Sequence, residues 1–222
     1  MVRVKICGLR TSEEVKLTAK AGGDAVGAVV NVPDSPRNTD PLHARKLFAA
    51  APPFVYTVAV TMPKTVEEVV AVYETAMPDA LQIHGVHSPP MLGHIRDSVP
   101  CKIIVTFSLG AEGTRSEDSF RVPEGMVKAA MEHADAILAD TYLFGGSGIK
   151  SDWSVVRKIR ELLSPKPLIL AGGLTPDNVA EAVRSVKPFA VDVSSGVELK
   201  PGVKDPDLIR LFISRAKGAD GI

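Results

Sequence analysis

Short apolar runs rich in valine and isoleucine recur along the whole chain, and segments with helical spacing separate them. The eight runs occupy residues 2–7, 24–30, 54–60, 79–84, 102–107, 135–140, 167–173 and 189–195. The clearest helical segments occupy 12–22, 65–76, 154–163 and 175–186. Strands that alternate with helices form a parallel sheet, because each helix carries the chain back to the end where the next strand starts. Eight such units without a linker predict an α/β fold of one domain over residues 1–222, a closed (β/α)8 TIM barrel rather than an open doubly wound sheet.

The first apolar run, in MVRVKICGLR, alternates aliphatic residues with Arg3, Lys5 and Cys7. An edge strand with one face in water would show this pattern, and so would a barrel strand whose second face points into the interior. In the barrel, Cys7 lies at the carboxyl end of its strand. The eighth strand, its neighbour after closure, sends Asp192 inward. A buried charge without a partner is costly, so we expect Asp192 to neutralise Lys5 or Arg3.

The charges and cysteines of the chain exclude some classes of partner and site. The 26 basic and 26 acidic residues cancel, so no overall field attracts nucleic acid or an anionic membrane, and an anionic ligand must be held locally. The N-terminus has no signal-peptide pattern and no apolar stretch approaches about 18 residues, which predicts a cytoplasmic protein. Two cysteines, Cys7 and Cys101, are too few for a disulfide framework, and neither has a partner at metal-ligand spacing.

The loops after the seventh and eighth strands have the residue types of a phosphate site. Gly172 and Gly173 allow the backbone to approach an anion. The stretch TPDN at 175–178 is typical of an N-cap, a first-turn proline and a helix start with free N–H groups. The eighth strand is followed by SSG at 194–196, which adds hydroxyl and amide donors. Phosphate sites at these two loops recur in such barrels, whereas either loop alone is also compatible with plain turn chemistry.

A carboxyl group and a thiol meet at the same end of the predicted barrel. Asp140 ends the sixth strand and precedes the glycine-rich loop 142–148, and Cys7 ends the first strand. With shifted pKa values the two groups would form an acid and base pair, and the loop could close over them to exclude water. The alternative for Asp140 is a turn cap, which is a common role of aspartate.

Arg37 and His84 lie at the same end of the predicted barrel. Arg37 follows Ser35-Pro36 in a loop stiffened by proline. A guanidinium there would bind a substrate carboxylate through two hydrogen bonds, or else remain in solvent. His84 ends the fourth strand, and we interpret it as a structural, hydrogen-bonding side chain and not as a metal ligand.

Seven short motifs follow one another along the chain, most of them at predicted strand ends. They are KICGLR at 5–10, SPR at 35–37, QIHG at 82–85, Asp140 with GGSG at 145–148, DW at 152–153, AGGLTPDNV at 171–179 and VDVSSGVELKPGVKD at 191–205. Together they resemble phosphoribosylanthranilate isomerase of tryptophan biosynthesis, and the first and last motifs are the most specific. The resemblance extends from one end of the chain to the other.

The resemblance implies a reaction and a set of roles. Enzymes of that family isomerise N-(5-phosphoribosyl)anthranilate to 1-(2-carboxyphenylamino)-1-deoxyribulose 5-phosphate by an Amadori rearrangement, without a metal or organic cofactor. By resemblance, Asp140 is the general acid that protonates the ribose ring oxygen, and Cys7 is the general base that takes the C2′ proton. Arg37 then binds the anthranilate carboxylate, and Asp192 contacts the sugar or the amine. The implied substrate-binding residues are Arg37, His84, Gly146, Gly148, Gly172, Gly173, Asp192, Ser194, Ser195 and Gly196.

Two segments depart from the family pattern. Ala28-Val29-Val30 stands where the family tends to carry phenylalanines, and the loop before SPR is slightly longer, so we expect a different wall against the aromatic ring. The stretch 108–122 carries no family motif. The implied partner is a small phosphorylated molecule, and monomers and homodimers of such barrels share the same sequence pattern.

Three other functions are compatible with a barrel of this kind. The related isomerase of histidine biosynthesis uses two aspartates, and Cys7 in place of the first carboxylate argues against it. Ribulose-phosphate epimerases need a metal with histidine and aspartate ligands, and the sequence has no matching constellation. A phosphate-binding barrel without catalysis would not need both Cys7 and Asp140.

Overall fold

The described residues of the computed structural model, 1–85, 88–108, 123–141 and 153–219, form a closed barrel of parallel strands surrounded by helices. In chain order the strands are β1 (Arg3–Ile6), β2 (Ala25–Val30), β3 (Asn38–Thr39), β4 (Tyr56–Thr61), β5 (Ala80–Ile83), β6 (Lys102–Ser108), β7 (Ala136–Asp140), β8 (Leu168–Ala171), β9 (Ala190–Val193), β10 (Glu198–Lys200) and β11 (Val203–Lys204). The α-helices are α1 (Ser12–Lys20), α2 (Pro41–Ala49), α3 (Val66–Ala76), α4 (Pro89–Ser98), α5 (Glu124–His133), α6 (Trp153–Leu162), α7 (Val179–Val186) and α8 (Pro206–Gly218). No helix in these ranges is long and apolar enough to cross a membrane.

Eight of the strands make up the barrel, which confirms the predicted TIM-barrel fold. Their order around it is β1-β9-β8-β7-β6-β5-β4-β2, every neighbouring pair is parallel, and pairing of β1 with β2 closes the ring. The short β3 pairs with the carboxyl end of β2. An antiparallel hairpin, β10–β11, follows β9. Both additions therefore lie after strands whose carboxyl ends face the same end of the barrel.

The alternation in β1 arises because both faces of the strand are covered. Val4 and Ile6 are fully buried in the core between sheet and helices, whereas Lys5 and Cys7 are buried inside the barrel. The alternative of a solvated edge strand is therefore wrong. Arg3 is exposed, and its guanidinium carbon lies 4.3 Å from the centre of the Phe189 ring. Arg3 starts the strand at the opposite end of the barrel, where water reaches its charge.

Two of the four predicted helices begin at a residue whose side chain caps them. Thr11 and Glu14 form a capping box at α1, and Thr65 accepts the Glu68 N–H at α3. The predicted helix at 175–186 is shorter, because α7 begins at Val179. The preceding TPD residues form a hydrogen-bonded turn, as described for the anion loop below.

Candidate active site

The carboxyl ends of the barrel strands surround an open pocket of about 310 Å³. The predicted site residues that line it are Cys7, Arg37, His84, Asp140, Gly172, Gly173, Asp192, Ser194 and Ser195. The glycine-rich loop, with Gly146 and Gly148, lies outside the described residues. The fold thus brings one set of residues, spread over the whole chain, to a single concave surface, as expected for this end of a TIM barrel.

A buried hydrogen-bonded chain of side chains lies beneath Cys7. The ammonium of Lys5 donates to Asp192 Oδ1 at 3.0 Å and to Gln82 Oε1 at 2.9 Å. Lys5 and Asp192 are only 3% and 7% exposed, so the expected pairing is confirmed, and it involves Lys5 rather than Arg3. Burial lowers the pKa of Lys5, but Asp192 and Cys7 raise it above its usual value, so the amine stays charged.

His84 continues this chain as a hydrogen-bond acceptor. The oxygen of the Gln82 amide accepts from Lys5, so its nitrogen donates to His84 Nε2 at 2.9 Å. Burial and the charge of Lys5 lower the pKa of His84 from 6.5 to about 4. His84 is therefore neutral at pH 7 with its proton on Nδ1, as a hydrogen-bonding side chain should be. Among the described residues, no three acidic, histidine or cysteine side chains are grouped to hold a metal ion.

The Cys7 thiol is exposed to two opposing influences. Burial raises its pKa, and the Lys5 ammonium, which hydrogen-bonds the sulfur, lowers it. Asp192 raises the pKa further and Lys204 lowers it, with burial the dominant cause. The thiol is consequently the main form at neutral pH before a ligand binds, and any charge added to the pocket shifts this balance.

Asp140 ends β7 at the rim of the pocket. Its neighbour Thr141 is buried, and the Thr141 hydroxyl donates to the carbonyls of Ala171 and Gly172 at 3.0 and 3.1 Å. These two hydrogen bonds connect the end of β7 to the loop after β8. Thr141 has no motif of its own in the sequence, and its role becomes visible only once β7 and β8 are neighbours.

The guanidinium of Arg37 is held by a carboxylate that the sequence analysis did not assign. Arg37 Nε donates to Glu198 Oε1 at 2.7 Å, and Nη2 donates to Oε2 at 2.6 Å. The Arg37 side chain is 20% exposed and that of Glu198 is 3% exposed. Arg37 is therefore an oriented group of the pocket wall rather than a solvated loop residue. Glu198 lies in the VDVSSGVELKPGVKD motif, which was the only signal for it.

The two predicted anion-binding loops lie side by side. Gly172 and Gly173 have φ values of 91° and 63°, a backbone conformation that favours glycine. Gly196 lies just behind the pocket wall, where a Cβ atom would be 1.9 Å from the Leu174 carbonyl oxygen, so only glycine lets the two loops approach. Ser194 and Ser195 line the pocket in front of it.

Helix α7 begins at Val179, later than the predicted start after Thr175, whereas Thr175 makes the hydrogen bonds of an N-cap: its carbonyl accepts the Val179 N–H at 3.1 Å. The Thr175 hydroxyl accepts the Asp177 N–H, and Asn178 Oδ1 accepts the Thr175 N–H. Asn178 Nδ2 also donates to the Gly173 carbonyl at 2.9 Å. These side-chain bonds stabilise a turn in place of the first helical turn, and they use N–H groups that were expected to be free for an anion. The predicted anion donors that remain are those of the two glycines and of the 194–196 segment.

An aliphatic wall faces these polar groups. Of the segment Ala28-Val29-Val30, only Val29 lines the pocket, and the other two residues are buried in the core outside the barrel. Val60 and Leu138 complete this wall. The lining that the sequence segment 28–30 contributes is therefore aliphatic, and its contact with an aromatic ring stays a prediction.

Residues 4–215 match the family model described as N-(5′phosphoribosyl)anthranilate (PRA) isomerase. The N-(5′-phosphoribosyl)anthranilate isomerase of Halorubrum lacusprofundi is 41% identical over 217 residues, which cover 97% of each chain. This agreement extends over nearly the whole length of both proteins.

Solved structures of similar proteins have the same barrel. The crystal structure of phosphoribosyl anthranilate isomerase from Thermotoga maritima has a TM-score of 0.81 and 37% identity, and covers 98% of this chain and 100% of that chain. An isomerase in complex with reduced 1-(o-carboxyphenylamino)-1-deoxyribulose 5-phosphate has a TM-score of 0.79 and 35% identity, with coverage of 98% and 100%. Family model, relatives and fold agree: the chain belongs to the N-(5′-phosphoribosyl)anthranilate isomerase family of tryptophan biosynthesis.

Proposed function

We propose that this chain converts N-(5′-phosphoribosyl)anthranilate to 1-(2-carboxyphenylamino)-1-deoxyribulose 5-phosphate, with Cys7 as general base and Asp140 as general acid. The observation that carries the proposal is that one pocket is lined by a thiol, a carboxyl group, an oriented guanidinium and the two loops after β8 and β9, which we predict to bind an anion. The guanidinium is the counterpart of a substrate carboxylate, and the two loops are the counterpart of a substrate phosphate.

Asp140 acts first, as the acid. Its protonated carboxyl group donates to the ribose ring oxygen while the C1′–O bond breaks and the anthranilate nitrogen forms a double bond to C1′. This step leaves the Asp140 carboxylate and a positively charged Schiff base. The ring-opened sugar gains a hydroxyl group at the former ring oxygen.

Cys7 then acts as the base. Its thiolate takes the C2′ proton, and the electrons of the C–H bond form a C1′–C2′ double bond that neutralises the Schiff base. The enol tautomerises to the ketone when C1′ gains a proton and the C2′ hydroxyl loses one. Burial favours the thiol in the empty pocket, so the thiolate depends on Lys5 and on the positive charge created by ring opening.

The remaining residues bind and orient the substrate. Arg37 binds the anthranilate carboxylate, and the backbone N–H groups of Gly172 and Gly173 bind the phosphate together with Ser194, Ser195 and Gly196. Asp192 contacts the sugar or the amine from the side of Lys5. His84 is held by Gln82 at the edge of the same pocket.

The test is the loss of substrate fluorescence when the purified protein is mixed with phosphoribosylanthranilate. We expect turnover that continues at the same rate after a metal chelator is added. Absence of turnover, or loss of turnover upon chelation, contradicts the proposed metal-free isomerisation.

A further inference from the structure

Glu198 occupies an unusual place in the site, because it contacts two cations from different segments. Its Oε1 accepts from Arg37 Nε and from Lys204 Nζ at 2.7 and 2.8 Å, and its Oε2 accepts from Arg37 Nη2 at 2.6 Å. Burial raises the pKa of Glu198, but hydrogen bonds from Arg37 and Lys204 outweigh burial and hold the pKa below its usual value. Glu198 is therefore an ionised carboxylate at the centre of a three-residue network.

The hairpin that carries Glu198 also packs against the loop that carries Arg37. Glu198 and Lys204 are opposite each other in the β10–β11 ladder. At the turn of this hairpin Gly202 has a φ of 79°, and a Cβ atom there would lie 2.7 Å from the Pro36 carbonyl oxygen. The hairpin and the 31–37 loop thus meet through backbone packing as well as through the Arg37–Glu198 ion pair.

Lys204 connects the same hairpin to the anion-binding side of the pocket. Its side chain is 1% exposed, and its ammonium donates to the Ser194 carbonyl at 2.9 Å. The Ser194 hydroxyl in turn donates to the Cys7 carbonyl at 3.2 Å. Glu198 neutralises Lys204, whose burial lowers its pKa. One carboxylate therefore contacts the guanidinium directly and the Ser194 segment through a single lysine.

The contact with Glu198 fixes the orientation of the Arg37 guanidinium. A guanidinium offers two edges that match a carboxylate, one formed by Nε and Nη2 and one by Nη1 and Nη2. Glu198 occupies the first edge with two hydrogen bonds, and this contact fixes the plane of the guanidinium. Without Glu198 the Arg37 side chain could rotate, and its guanidinium would no longer be held in one orientation.

We propose that Glu198 is a positioning residue for both binding ends of the site: it orients Arg37 toward the substrate carboxylate and, through Lys204, holds the Ser194 segment against the phosphate. The inference rests on the proposed function for the identity of the substrate. A purely structural ion pair is the alternative, and it predicts lower stability with unchanged ligand affinity.

The test compares Glu198→Gln, which keeps the side-chain shape and removes the charge, with Glu161→Gln, the same change at an exposed ion pair with Arg160. Two probes report on the two ends without any turnover. Binding of anthranilate is measured by its fluorescence anisotropy, and binding of inorganic phosphate by calorimetry. Circular dichroism checks folding, and Glu198→Asp, which retains the charge but shortens the side chain, replaces the glutamine variant if that one does not fold.

We expect Glu198→Gln to raise the dissociation constant of anthranilate about tenfold and to weaken phosphate binding, since a charge-assisted contact orients both ends. In steady-state assays KM should rise and kcat should change little. In an Arg37→Ala background the same change should have no further effect on anthranilate, because the two residues act as a unit. Glu161→Gln should behave as wild type.

Three results contradict the inference: unchanged affinity for both probes in Glu198→Gln, a fully additive effect with Arg37→Ala, or a loss of kcat at constant KM. A wild-type protein that binds both probes but does not consume phosphoribosylanthranilate contradicts the proposed function instead. The role of Glu198 is still decided by the probe affinities in that case.

Discussion

The Lys5 ammonium nitrogen lies 3.0 Å from Asp192 Oδ1 inside the barrel, and the two side chains are 4% and 8% exposed. β1 and β9 place these residues directly opposite each other in parallel register. Each charge is tolerated in the interior because the other is present, so the energetic cost of removing one partner exceeds that of removing both.

Lys5→Met should lower the free energy of unfolding by about 3–5 kcal/mol, because it leaves the buried Asp192 side chain without its cation. The double variant Lys5→Met/Asp192→Asn should recover part of this loss, since no unpaired charge remains. Urea unfolding monitored by circular dichroism measures both. Arg210→Met, which breaks the exposed pair with Asp207, is the control and should change stability by less than about 1 kcal/mol. A double variant no more stable than Lys5→Met contradicts this account.

His84 should make the protein less stable in mild acid. Its pKa is depressed to about 4 in the folded state, against 6.5 when it is unperturbed. The unfolded chain therefore binds a proton at higher pH than the folded protein does. Stability from this group is intact above pH 6.5 and falls as the pH decreases toward 4, by at most about 3 kcal/mol.

The comparison of His84→Gln with wild type isolates this effect from other titrating groups. The difference in unfolding free energy between the two proteins should shift in favour of the variant as the pH falls from 6.5 to 4. His94→Gln makes the same change at an exposed position of α4 and is the matched control. If the unfolding free energies of His84→Gln and wild type change in parallel with pH over this range, the predicted role of His84 is contradicted.

Cys7 should become more reactive when Asp192 loses its charge. Burial raises the pKa of the thiol, the Lys5 ammonium lowers it, and Asp192 counteracts Lys5. In Asp192→Asn the lysine charge is no longer balanced, so the thiolate fraction at pH 7.5 should rise by about tenfold for each unit by which the pKa falls. Alkylation by iodoacetamide is measured in a Cys101→Ser background, with Asp207→Asn as the control. An alkylation rate that stays the same or decreases rejects the proposed balance.

Inorganic phosphate should bind at the paired loops after β8 and β9. Ser195→Asp places a negative charge among the proposed donors and should weaken phosphate binding by about tenfold or more through repulsion. Ser214→Asp adds the same charge to an exposed position of α8 and should leave binding unchanged. Calorimetric titration with phosphate compares the two variants. Equal affinity in Ser195→Asp and Ser214→Asp places the anion elsewhere.

Contacts that follow from the order of the strands and from the alternation of side chains along each strand could be predicted from the sequence. Closure of the barrel makes the first and last strands neighbours, and the period of two sends Arg3, Lys5 and Asp192 to the same side, so a pairing of Asp192 with Lys5 or Arg3 could be predicted. The convergence of Cys7, Arg37 and Asp140 followed from the rule that loops at one end of such a barrel form the site.

Contacts that depend on side-chain competition or on a folded-back segment could not be predicted in this way. Glu198 contacts Arg37 across 161 residues because the hairpin after β9 packs against the loop that carries Arg37, and no local sequence pattern specifies that contact. The late start of α7 depends on Asn178, whose side chain bonds to the Thr175 N–H and the Gly173 carbonyl and so favours a turn. The proposed roles of Gly146 and Gly148 stay predictions.

The most direct test of the account is the rate of phosphoribosylanthranilate consumption by Cys7→Ala and Asp140→Asn, with folding verified by circular dichroism. Neither alanine nor an amide can exchange the required proton, so each variant should lose about a hundredfold or more in kcat. Cys101→Ser, which alters the other thiol, should retain wild-type activity. A folded Cys7→Ala protein that keeps more than about a tenth of the wild-type kcat contradicts the assignment of Cys7 as the general base.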